Sequence, residues 1–320
     1  MSESSPTSPA CERILAVGLT PAWQQVALLD NLKIGEVNRA SDFISTASGK
    51  VINVGMALRR LGSNCATLSV TGGPNGAAIR DEFDAAGIEA RWICSDTPTR
   101  VCTTILDQSG GHTTELVENS KALSCSELEA FLQLVETESR NADWIVSSGS
   151  LPTKTPKRFH RDIMKAAADS RFVLDISGEE LLLALEQSPF AVKPNREELA
   201  RTLQRELDSE NALFEAMRDI VARGAKWCVT TSGSDPIHAT DGSRMLRFAP
   251  PLVENVVNPI GCGDCVAAGI AFGLASGREM SHAIRLGVGA ASQNLQSLLP
   301  ARLDLATVES LAAEVNVVEL

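Results

Sequence analysis

The sequence predicts an α/β fold in which a mainly parallel sheet carries helices on both faces. Two observations lead to this prediction. Short and nearly continuous apolar runs recur along the 320 residues, as is typical of strands that are buried on both sides. Helical patterns separate these runs, and a regular alternation of strands with helices favours parallel pairing.

The elements follow one another along the chain in that alternating order. Strands are predicted at residues 14–18, 66–71, 144–147, 172–176, 191–193 and 227–231. Helices are predicted at residues 52–61, 77–86, 124–138, 156–168, 196–204, 212–223 and 265–276. Ser124 and Glu127 fit a capping box at the start of one helix. Ligands of such sheets bind outside the carboxyl ends of the strands, so polar residues at those ends are the first candidates for a site.

Two segments, residues 22–47 and residues 92–118, break the alternation. Their strand patterns have one exposed face, and Ser109, Gly110 and Gly111 separate two of the strands as a hairpin turn would. We predict that both segments form a small accessory sheet. Such a sheet acts as a lid when it lies beside a catalytic cleft.

Composition argues against two classes of partner. The net charge of −11, the 4% aromatic content and the absence of Tyr are unlike a nucleic-acid surface, which needs basic patches and stacking rings. No run approaches the roughly 20 apolar residues of a membrane span. Residues 1–12, rich in Ser, Pro and Thr, are predicted to be a disordered tail rather than a secretory signal. Residues 13–320 are predicted to form one folded domain.

The eight cysteines are scattered, and without a secretory signal they indicate reduced thiols in a cytoplasmic protein. Cys262 and Cys265 have C-x-x-C spacing, but no second pair exists to complete a zinc site. A thioredoxin-like role and two small residues in a crowded turn both fit this pair. If the two thiols can be oxidised together, the turn that contains them should distort.

The turn of Gly261, Cys262, Gly263 and Asp264 runs directly into an apolar helix. Two glycines allow the backbone to turn sharply and to direct N–H groups at one point. The start of the helix adds N–H groups without intrahelical acceptors and the positive end of its dipole. The pattern predicts a bound anion, most simply a phosphate, with an acid beside it. An ordinary turn into a helix fits the same residues.

A second feature is Gly49 followed by Lys50, with Asn53 on the first turn of the next helix. The glycine lets a ligand approach the backbone, and the ammonium group can pair with a phosphate. A solvated lysine before a helix cap is the alternative. The spacing differs from that of a Walker loop.

Three strand ends carry further polar residues. Asn195 follows a strand that ends at Lys193, and with Glu198 it fits a capping box. The same two side chains can hold water around Mg²⁺, which prefers oxygen ligands, and the two interpretations are compatible. The other two strand ends supply hydroxyls and glycines suited to a sugar or to a plain loop, at residues 147–152 and 230–234.

Together these features resemble the ribokinase-like (PfkB) carbohydrate kinases, in particular the branch of 1-phosphofructokinase and tagatose-6-phosphate kinase. The resemblance extends over nearly the whole chain from Ile14, with the motifs in family order. The matching motifs lie at residues 35–40, 49–53, 99–100, 114–115, 149–152, 175–179, 193–198 and 261–264. The resemblance implies a three-layer α/β/α sandwich with a small β-sheet lid.

The resemblance also implies roles at the reacting end. Asp264 matches the catalytic base that takes the proton from the attacking hydroxyl. The N–H groups of Gly261, Cys262 and Gly263 match the anion hole for the transferring phosphoryl group.

On the nucleotide side, the resemblance implies that one motif positions the phosphates of ATP and hydrated Mg²⁺. Its residues here are Lys193, Asn195 and Glu198, the last two acting on the metal through water. Thr231 and Gly233 fall where the family binds the nucleotide.

On the acceptor side, Lys50 and Arg100 match residues that hold the substrate's own phosphate. Gly49, Asn53 and Ser148 match sugar contacts. The implied small-molecule partner is therefore a sugar phosphate.

Arg39 matches a lid residue that in some relatives reaches the site of a partner subunit. The resemblance therefore implies a homodimer formed through the lid sheets. One departure concerns the sugar: Gln24 stands where the branch has an Asp that binds substrate hydroxyls. An amide still donates and accepts hydrogen bonds, but a charge-assisted contact is lost.

The leading interpretation is an ATP-dependent kinase of a phosphorylated ketohexose of the fructose 1-phosphate or tagatose 6-phosphate type. A kinase of the same fold that acts on an unphosphorylated sugar or nucleoside is an alternative, as is a non-catalytic sugar-phosphate sensor. A Rossmann oxidoreductase is disfavoured because no G-x-G-x-x-G follows the first strand.

Overall fold

The computed structural model describes residues 12–320 as two β-sheets with helices packed on the larger one. Except for Glu12, the tail predicted at residues 1–12 lies outside the described residues. Ten strands form the large sheet: β1 Ile14–Val17, β4 Cys65–Gly72, β5 Ala90–Ser95, β8 Trp144–Ser148, β9 Arg171–Asp175, β10 Ala191–Val192, β11 Trp227–Ser232, β12 Asp235–Thr240, β13 Met245–Ala249 and β14 Asn316–Glu319. The lid sheet contains β2 Ala22–Leu29, β3 Asp42–Ser48, β6 Arg100–Asp107 and β7 His112–Val117.

The large sheet has the order β14-β13-β12-β11-β10-β9-β8-β1-β4-β5. All pairs from β11 to β5 are parallel, which confirms the predicted mainly parallel sheet. The remaining strands, β12 to β14, extend it in antiparallel fashion. These three strands were not predicted from the sequence.

The helices are α1 Lys50–Arg60, α2 Gly73–Ala85, α3 Cys125–Ser139, α4 Phe159–Ala166, α5 Gly178–Ala184, α6 Arg196–Leu203, α7 Glu210–Ala222, α8 Cys262–Ala275, α9 Met280–Leu295 and α10 Leu305–Glu314. All seven predicted helices are present, and α5, α9 and α10 were not predicted. The capping box of α3 is confirmed: Ser124 Oγ accepts a hydrogen bond from the Glu127 N–H, and the Glu127 carboxylate accepts one from the Ser124 N–H.

The helices form a layer on each face of the large sheet, as strand β1 illustrates. Ile14 and Ala16 belong to an apolar cluster with α1, α2, α8, α9 and α10. Leu15 and Val17 point the other way, into a cluster with α3 to α7. All four side chains are fully buried. The α/β/α sandwich is therefore confirmed, and successive residues of a strand serve two separate cores.

The lid sheet has the order β3-β2-β6-β7. Strand β2 pairs with β3 in antiparallel and with β6 in parallel orientation, and β6 and β7 form the expected hairpin. One boundary of the predicted lid, residues 92–118, was wrong. Strand β5, which contains Trp92, pairs with β4 at the edge of the large sheet. An edge strand is partly exposed, which is why its pattern resembles that of a lid strand.

Within residues 12–320, no helix has the length and apolarity that crossing a bilayer requires.

Candidate active site

A cleft of about 1160 Å³ opens between the lid sheet and the carboxyl ends of the parallel strands. Most of the site residues expected from the sequence line it: Gln24, Gly49, Lys50, Asn53, Arg100, Lys193, Asn195, Glu198, Thr231, Gly233, Gly261, Cys262, Gly263 and Asp264. The location agrees with the general rule for ligands of parallel sheets. Ser148 is buried at the end of β8, behind this lining.

The turn before α8 has the backbone shape that its glycines predict. Gly261 is the N-cap residue, with φ of 84°, in the left-handed region that favours glycine. A Cβ atom on Gly261 would lie only 2.8 Å from Pro300 Cβ. The Cys262 N–H already makes a long turn hydrogen bond of 3.4 Å to the Pro259 carbonyl. The first N–H groups of α8 lack intrahelical acceptors and border the cleft, and the Cys262 N–H would exchange the Pro259 carbonyl for a bound anion.

Asp264 lies in the first turn of α8 and its side chain is buried, with 6% exposed. One oxygen, Oδ2, accepts a hydrogen bond of 2.7 Å from Asn53 Nδ2. The Asn53 Oδ1 atom in turn accepts one from Ser48 Oγ at 3.1 Å. These bonds hold the carboxylate where the lid strand β3 joins helix α1.

Burial raises the pKa of the Asp264 carboxyl to about 7, and the negative charge of Asp175 acts in the same direction. Lys50, Lys193 and the hydrogen bond from Asn53 favour the charged form and oppose this rise in pKa. A carboxyl with a pKa near neutrality can accept a proton efficiently at physiological pH.

Asp175, at the end of β9, is the centre of a buried ion cluster. Its Oδ1 atom lies 2.9 Å from Lys193 Nζ, and both side chains are almost fully buried. Its Oδ2 atom accepts a hydrogen bond of 3.2 Å from Ser148 Oγ. Burial would raise the pKa of Asp175, but Lys193 and Lys50 outweigh it, so the pKa is lowered. The sequence marked Asp175 only as part of a matching motif and gave it no role.

Lys50 begins α1 and connects this cluster to Glu198 in the first turn of α6. Its Nζ atom lies 3.5 Å from the Asp175 carboxylate and 3.5 Å from Glu198 Oε1. Burial alone would lower the pKa of Lys50, yet the nearby carboxylates raise it above its ordinary value. Lys50 is therefore charged, and two acids neutralise it. Gly49, just before it, has φ of 94°, and a Cβ there would lie 2.9 Å from the Thr20 carbonyl oxygen.

The capping interpretation of Asn195 and Glu198 is confirmed. Asn195 Oδ1 accepts from the Glu198 N–H, and Glu198 Oε2 accepts from the Asn195 N–H, both at 2.8 Å. The remaining oxygen, Oε1, faces Lys50. The capping box uses only one oxygen of the Glu198 carboxylate. The other oxygen, Oε1, faces the cleft and is available as a ligand atom.

The inner face of the lid supplies the other wall. Gln24 is 3% exposed, and its Nε2 atom donates a hydrogen bond of 2.7 Å to Thr104 Oγ1 on β6. The Arg100 guanidinium donates to the carbonyls of Glu118 and Thr20 at 3.1 and 3.2 Å. Its Nε atom is buried and has no hydrogen-bond partner among residues 12–320. Both side chains are thus held by the protein and face the cleft.

The structure does not bring Arg39 into the cleft. It lies in the exposed loop between β2 and β3 and is not among the residues that line the cavity.

The apolar wall beside Thr231 and Gly233 was not predicted from the sequence. This wall consists of Ile237, Pro250, Pro251, Leu252, Val253, Val256, Pro259, Ile260, Val288, Ala291 and Leu295. The pair of prolines directly after β13 was the available signal, since prolines there cannot extend the sheet. A flat apolar ring can be accommodated between this loop and helix α9.

The two cysteines of the C-x-x-C pair both contact Asn294 on α9. Asn294 Nδ2 donates to Cys262 Sγ at 3.2 Å, and the Cys265 thiol donates to Asn294 Oδ1 at 3.5 Å. Burial raises the pKa of the Cys262 thiol to about 11, and it also raises the pKa of Cys265. Thiolate is the reactive form, so the site favours small packed thiols over a redox pair.

Comparisons with known proteins agree with this geometry. The family model described as pfkB family carbohydrate kinase matches residues 12–303. A protein from Staphylococcus aureus, assigned provisionally as a phosphofructokinase, is 26% identical, with a TM-score of 0.77, over 96% of this chain and 99% of that one.

Two further solved structures are similar in fold. Phosphofructokinase-2 from Escherichia coli, in complex with fructose-6-phosphate, is 24% identical, with a TM-score of 0.84 over 94% of this chain and 98% of that one. A provisional 1-phosphofructokinase from Thermotoga maritima is 18% identical, with a TM-score of 0.88 over 96% and 99%. The ribokinase-like arrangement expected from the sequence is therefore confirmed.

Proposed function

The chain belongs to the pfkB family of carbohydrate kinases, and we propose that it transfers the γ-phosphoryl group of ATP to a hydroxyl of a phosphorylated ketohexose. The family makes it a phosphotransferase with a hydroxyl acceptor. The position of Asp264 is the observation that supports the proposed transfer to a sugar-phosphate hydroxyl. This acid, with a pKa near 7, lies at the N-terminus of α8 and opens on the same cleft as the lid.

In the proposed reaction, Asp264 takes the proton of the acceptor hydroxyl while the hydroxyl oxygen attacks the γ-phosphorus. The new P–O bond forms as the bond between the γ-phosphorus and the β–γ bridging oxygen breaks, and ADP leaves with that oxygen. The N–H groups of Gly261, Cys262 and Gly263 stabilise negative charge on the transferring group. Positioning and electrostatic stabilisation supply most of the rate in such transfers.

We place the nucleotide along the side of the cleft formed by Lys193, Asn195 and Glu198. Lys193 Nζ lies 3.4 Å from the position that a Cβ on Gly263 would take, so its charge is next to the anion hole. Thr231 and Gly233 would contact the nucleotide beside the apolar wall, which suits an adenine ring.

Glu198 Oε1 offers the kind of oxygen donor that Mg²⁺ prefers. When bound, Mg²⁺ would neutralise charge on the ATP phosphates. Glu198 and Asn195 would hold it through water.

We place the acceptor under the lid. Lys50 and Arg100 would hold its phosphate, since both cations border the cleft and the Arg100 Nε atom has no partner within the described part of the chain. Gly49, Asn53 and Ser148 would contact the sugar. Gln24, in place of an acid, would bind a hydroxyl through its amide.

One observation favours a second candidate, a kinase of an unphosphorylated sugar or nucleoside. Lys50 is already neutralised by Asp175 and Glu198. An acceptor phosphate would have to compete with these acids, whereas a neutral acceptor would not.

We also propose that the protein is a homodimer that pairs through its lid sheets. The lid exposes large apolar side chains: Ile34 is 96% exposed, Val37 83%, Leu116 58% and Phe43 54%. Exposed apolar groups in this concentration are typical of an interface. Arg39 lies beside Val37 and would then reach the partner. Sedimentation should show a dimer for the protein and a monomer for Val37→Glu, and a monomeric parent protein would contradict this.

We also propose a cytoplasmic location, which agrees with six cysteines that form no disulfide among the described residues: Cys94, Cys102, Cys125, Cys228, Cys262 and Cys265.

A screen of ADP release tests the proposed activity. The protein would be assayed with ATP and Mg²⁺ against fructose 1-phosphate, tagatose 6-phosphate, fructose 6-phosphate, the free ketohexoses and nucleosides. We expect turnover with a phosphorylated ketohexose and a much lower kcat/KM with the free sugars. A preference for a free sugar or nucleoside would establish the second candidate. An absence of turnover with every acceptor would instead favour a non-catalytic sugar-phosphate sensor.

A further inference from the structure

Three distant segments meet in a small ion cluster at the base of the lid, which we call the lid clasp: Thr46 and Ala47 of β3, Glu82 of α2 and Arg302 of the loop before α10. Glu82 Oε1 accepts hydrogen bonds from Thr46 Oγ1 at 2.7 Å and from Arg302 Nη2 at 2.5 Å. Glu82 Oε2 accepts one from the Ala47 N–H at 2.7 Å. Arg302 Nη2 also donates to Thr46 Oγ1 at 2.9 Å.

The clasp provides a hydrogen-bond acceptor for strand β3, which has a neighbouring strand on one side within the lid sheet. Strand β3 is at the edge of the lid sheet and, among the described strands, pairs only with β2. An edge strand presents free N–H groups on its outer side. Glu82 captures one of them, from Ala47, and so attaches the end of the lid strand to helix α2 of the main domain.

Both ends of the clasp border the groups assigned to catalysis. Thr46 lies two residues before Ser48, whose hydroxyl bonds Asn53, which in turn bonds Asp264. Arg302 lies two residues after Pro300, which packs against the turn at Gly261. The clasp therefore connects the segment that carries the acceptor contacts to the segment that supports the anion hole.

We propose that Glu82 and Arg302 are positioning residues that fix the base of the lid, and the acceptor beneath it, relative to Asp264 and the α8 turn. Neither side chain lines the cleft, so each acts through β3 or through the loop at Pro300. This proposal rests on the kinase function proposed above. A displacement of about 1 Å at a reacting centre can cost about 10²-fold in rate, so loosening the clasp should be visible in turnover.

The first test compares Glu82→Gln and Arg302→Gln with the parent enzyme and with a matched control. The control is Glu138→Gln, which breaks ion pairs with Arg13 and Arg91 outside the cleft; the Arg13 pair serves for comparison. The side-chain exposures of that pair are 17% and 20%, against 26% and 23% for Glu82 and Arg302. We expect kcat/KM for the acceptor to fall by at least about tenfold in both clasp variants, with the KM of ATP unchanged.

Two further variants separate positioning from loss of stability. Because Glu82 and Arg302 act as one unit, the double variant should lose little more than the worse single variant. Arg302→Lys retains a charge and should recover part of the acceptor kcat/KM lost in Arg302→Gln. Equal changes in the KM values of acceptor and ATP, or losses no greater than in Glu138→Gln, would overturn the proposal.

Hydrogen exchange provides a readout that does not depend on activity. Amides in residues 45–54 should exchange faster in Glu82→Gln than in the parent or in Glu138→Gln, because the Ala47 N–H loses its charged acceptor. If amide exchange in residues 45–54 were the same in Glu82→Gln as in the parent, the proposed role of the clasp would be refuted, even if the enzyme were active. A parent enzyme that phosphorylates no sugar or sugar phosphate would instead refute the kinase function and the positioning role built on it, whatever the exchange shows.

Discussion

Asn53 Nδ2 donates a hydrogen bond of 2.7 Å to Asp264 Oδ2, which joins the first turn of α1 to the first turn of α8. The two residues are 211 positions apart in the chain. The bond orients the Asp264 carboxylate, and its other oxygen, Oδ1, takes no part in this bond. An acid held in this way beside a helix N-terminus has the geometry of a general base next to an anion site.

The first prediction concerns pH. Asp264 must be deprotonated to act as a base, and its pKa is raised to about 7. The kcat/KM for the acceptor should therefore fall as pH decreases below about 7, where the free enzyme's base becomes protonated. Steady-state rates measured from about 1.5 pH units below this pKa to about 2 units above it, at saturating ATP, test this acidic limb of the pH profile.

Asp175→Asn provides the control for that assignment. The negative charge of Asp175 helps to raise the pKa of Asp264, so its removal should move the acidic limb of the profile to lower pH. A limb that stays in place in this variant would assign the titration to another group.

The second prediction concerns stability. The carboxyl of Asp264 has a higher pKa in the folded protein than the value of about 3.9 expected in the unfolded chain. The folded state therefore binds this proton more tightly, and the contribution of Asp264 to stability decreases as pH rises from about 4 to about 7. Asn cannot ionise but can still accept the bond from Asn53.

Asp264→Asn should consequently melt at a higher temperature than the parent protein at pH 8, and the difference should shrink at pH 5. Thermal unfolding followed across this range measures it. A difference in Tm that does not vary with pH would show that the charge on Asp264 carries no such cost.

The third prediction concerns the acceptor phosphate. Lys50→Met and Arg100→Met should each raise the KM of a phosphorylated acceptor by about tenfold or more, because a hydrogen bond to a charged group contributes about 1.5–3 kcal/mol. The KM of a free sugar should change little. Lys33→Met, on the exposed lid loop, is the control, and a similar rise in KM for free and phosphorylated sugars would contradict the phosphate role.

The fourth prediction concerns the bond between Gln24 and Thr104. Thr104→Val removes the acceptor that fixes the Gln24 amide, so the amide loses its orientation toward the sugar. The KM of the acceptor should rise about two- to tenfold, the worth of one neutral hydrogen bond. Thr103→Val is the matched control, because its hydroxyl bonds Gln25 instead. If the two variants behave alike, Gln24 is not oriented by Thr104.

The sequence predicted those parts of the fold whose patterns are local. Strands such as β1 and β8 are continuous apolar runs, and glycines with an acid mark the turn at Gly261. The antiparallel strands β12 to β14 escaped prediction because polar residues such as His238, Arg247 and Asn316 break up their apolar patterns. Strand β5 was placed in the lid because an edge strand and a lid strand have the same half-exposed pattern.

The candidate site was predicted motif by motif, but its contacts were not. The bond between Asn53 and Asp264 depends on how α1 packs beside α8, which no local pattern encodes. Asp175 was underestimated because a single acid at the end of an apolar strand looks the same whether it is solvated or pairs with Lys193. The part of the apolar wall at residues 250–260 has the pattern of an ordinary loop, because its apolar partner, helix α9, lies opposite it only in the folded chain.

The most direct test of the central claim is the turnover of Asp264→Asn with the sugar phosphate that the parent enzyme accepts. At saturating ATP and acceptor, ADP release should fall by at least about 10²-fold, while the KM values and the circular dichroism spectrum stay close to those of the parent. Turnover near that of the parent enzyme would contradict the account, because Asp264 would then not be the base.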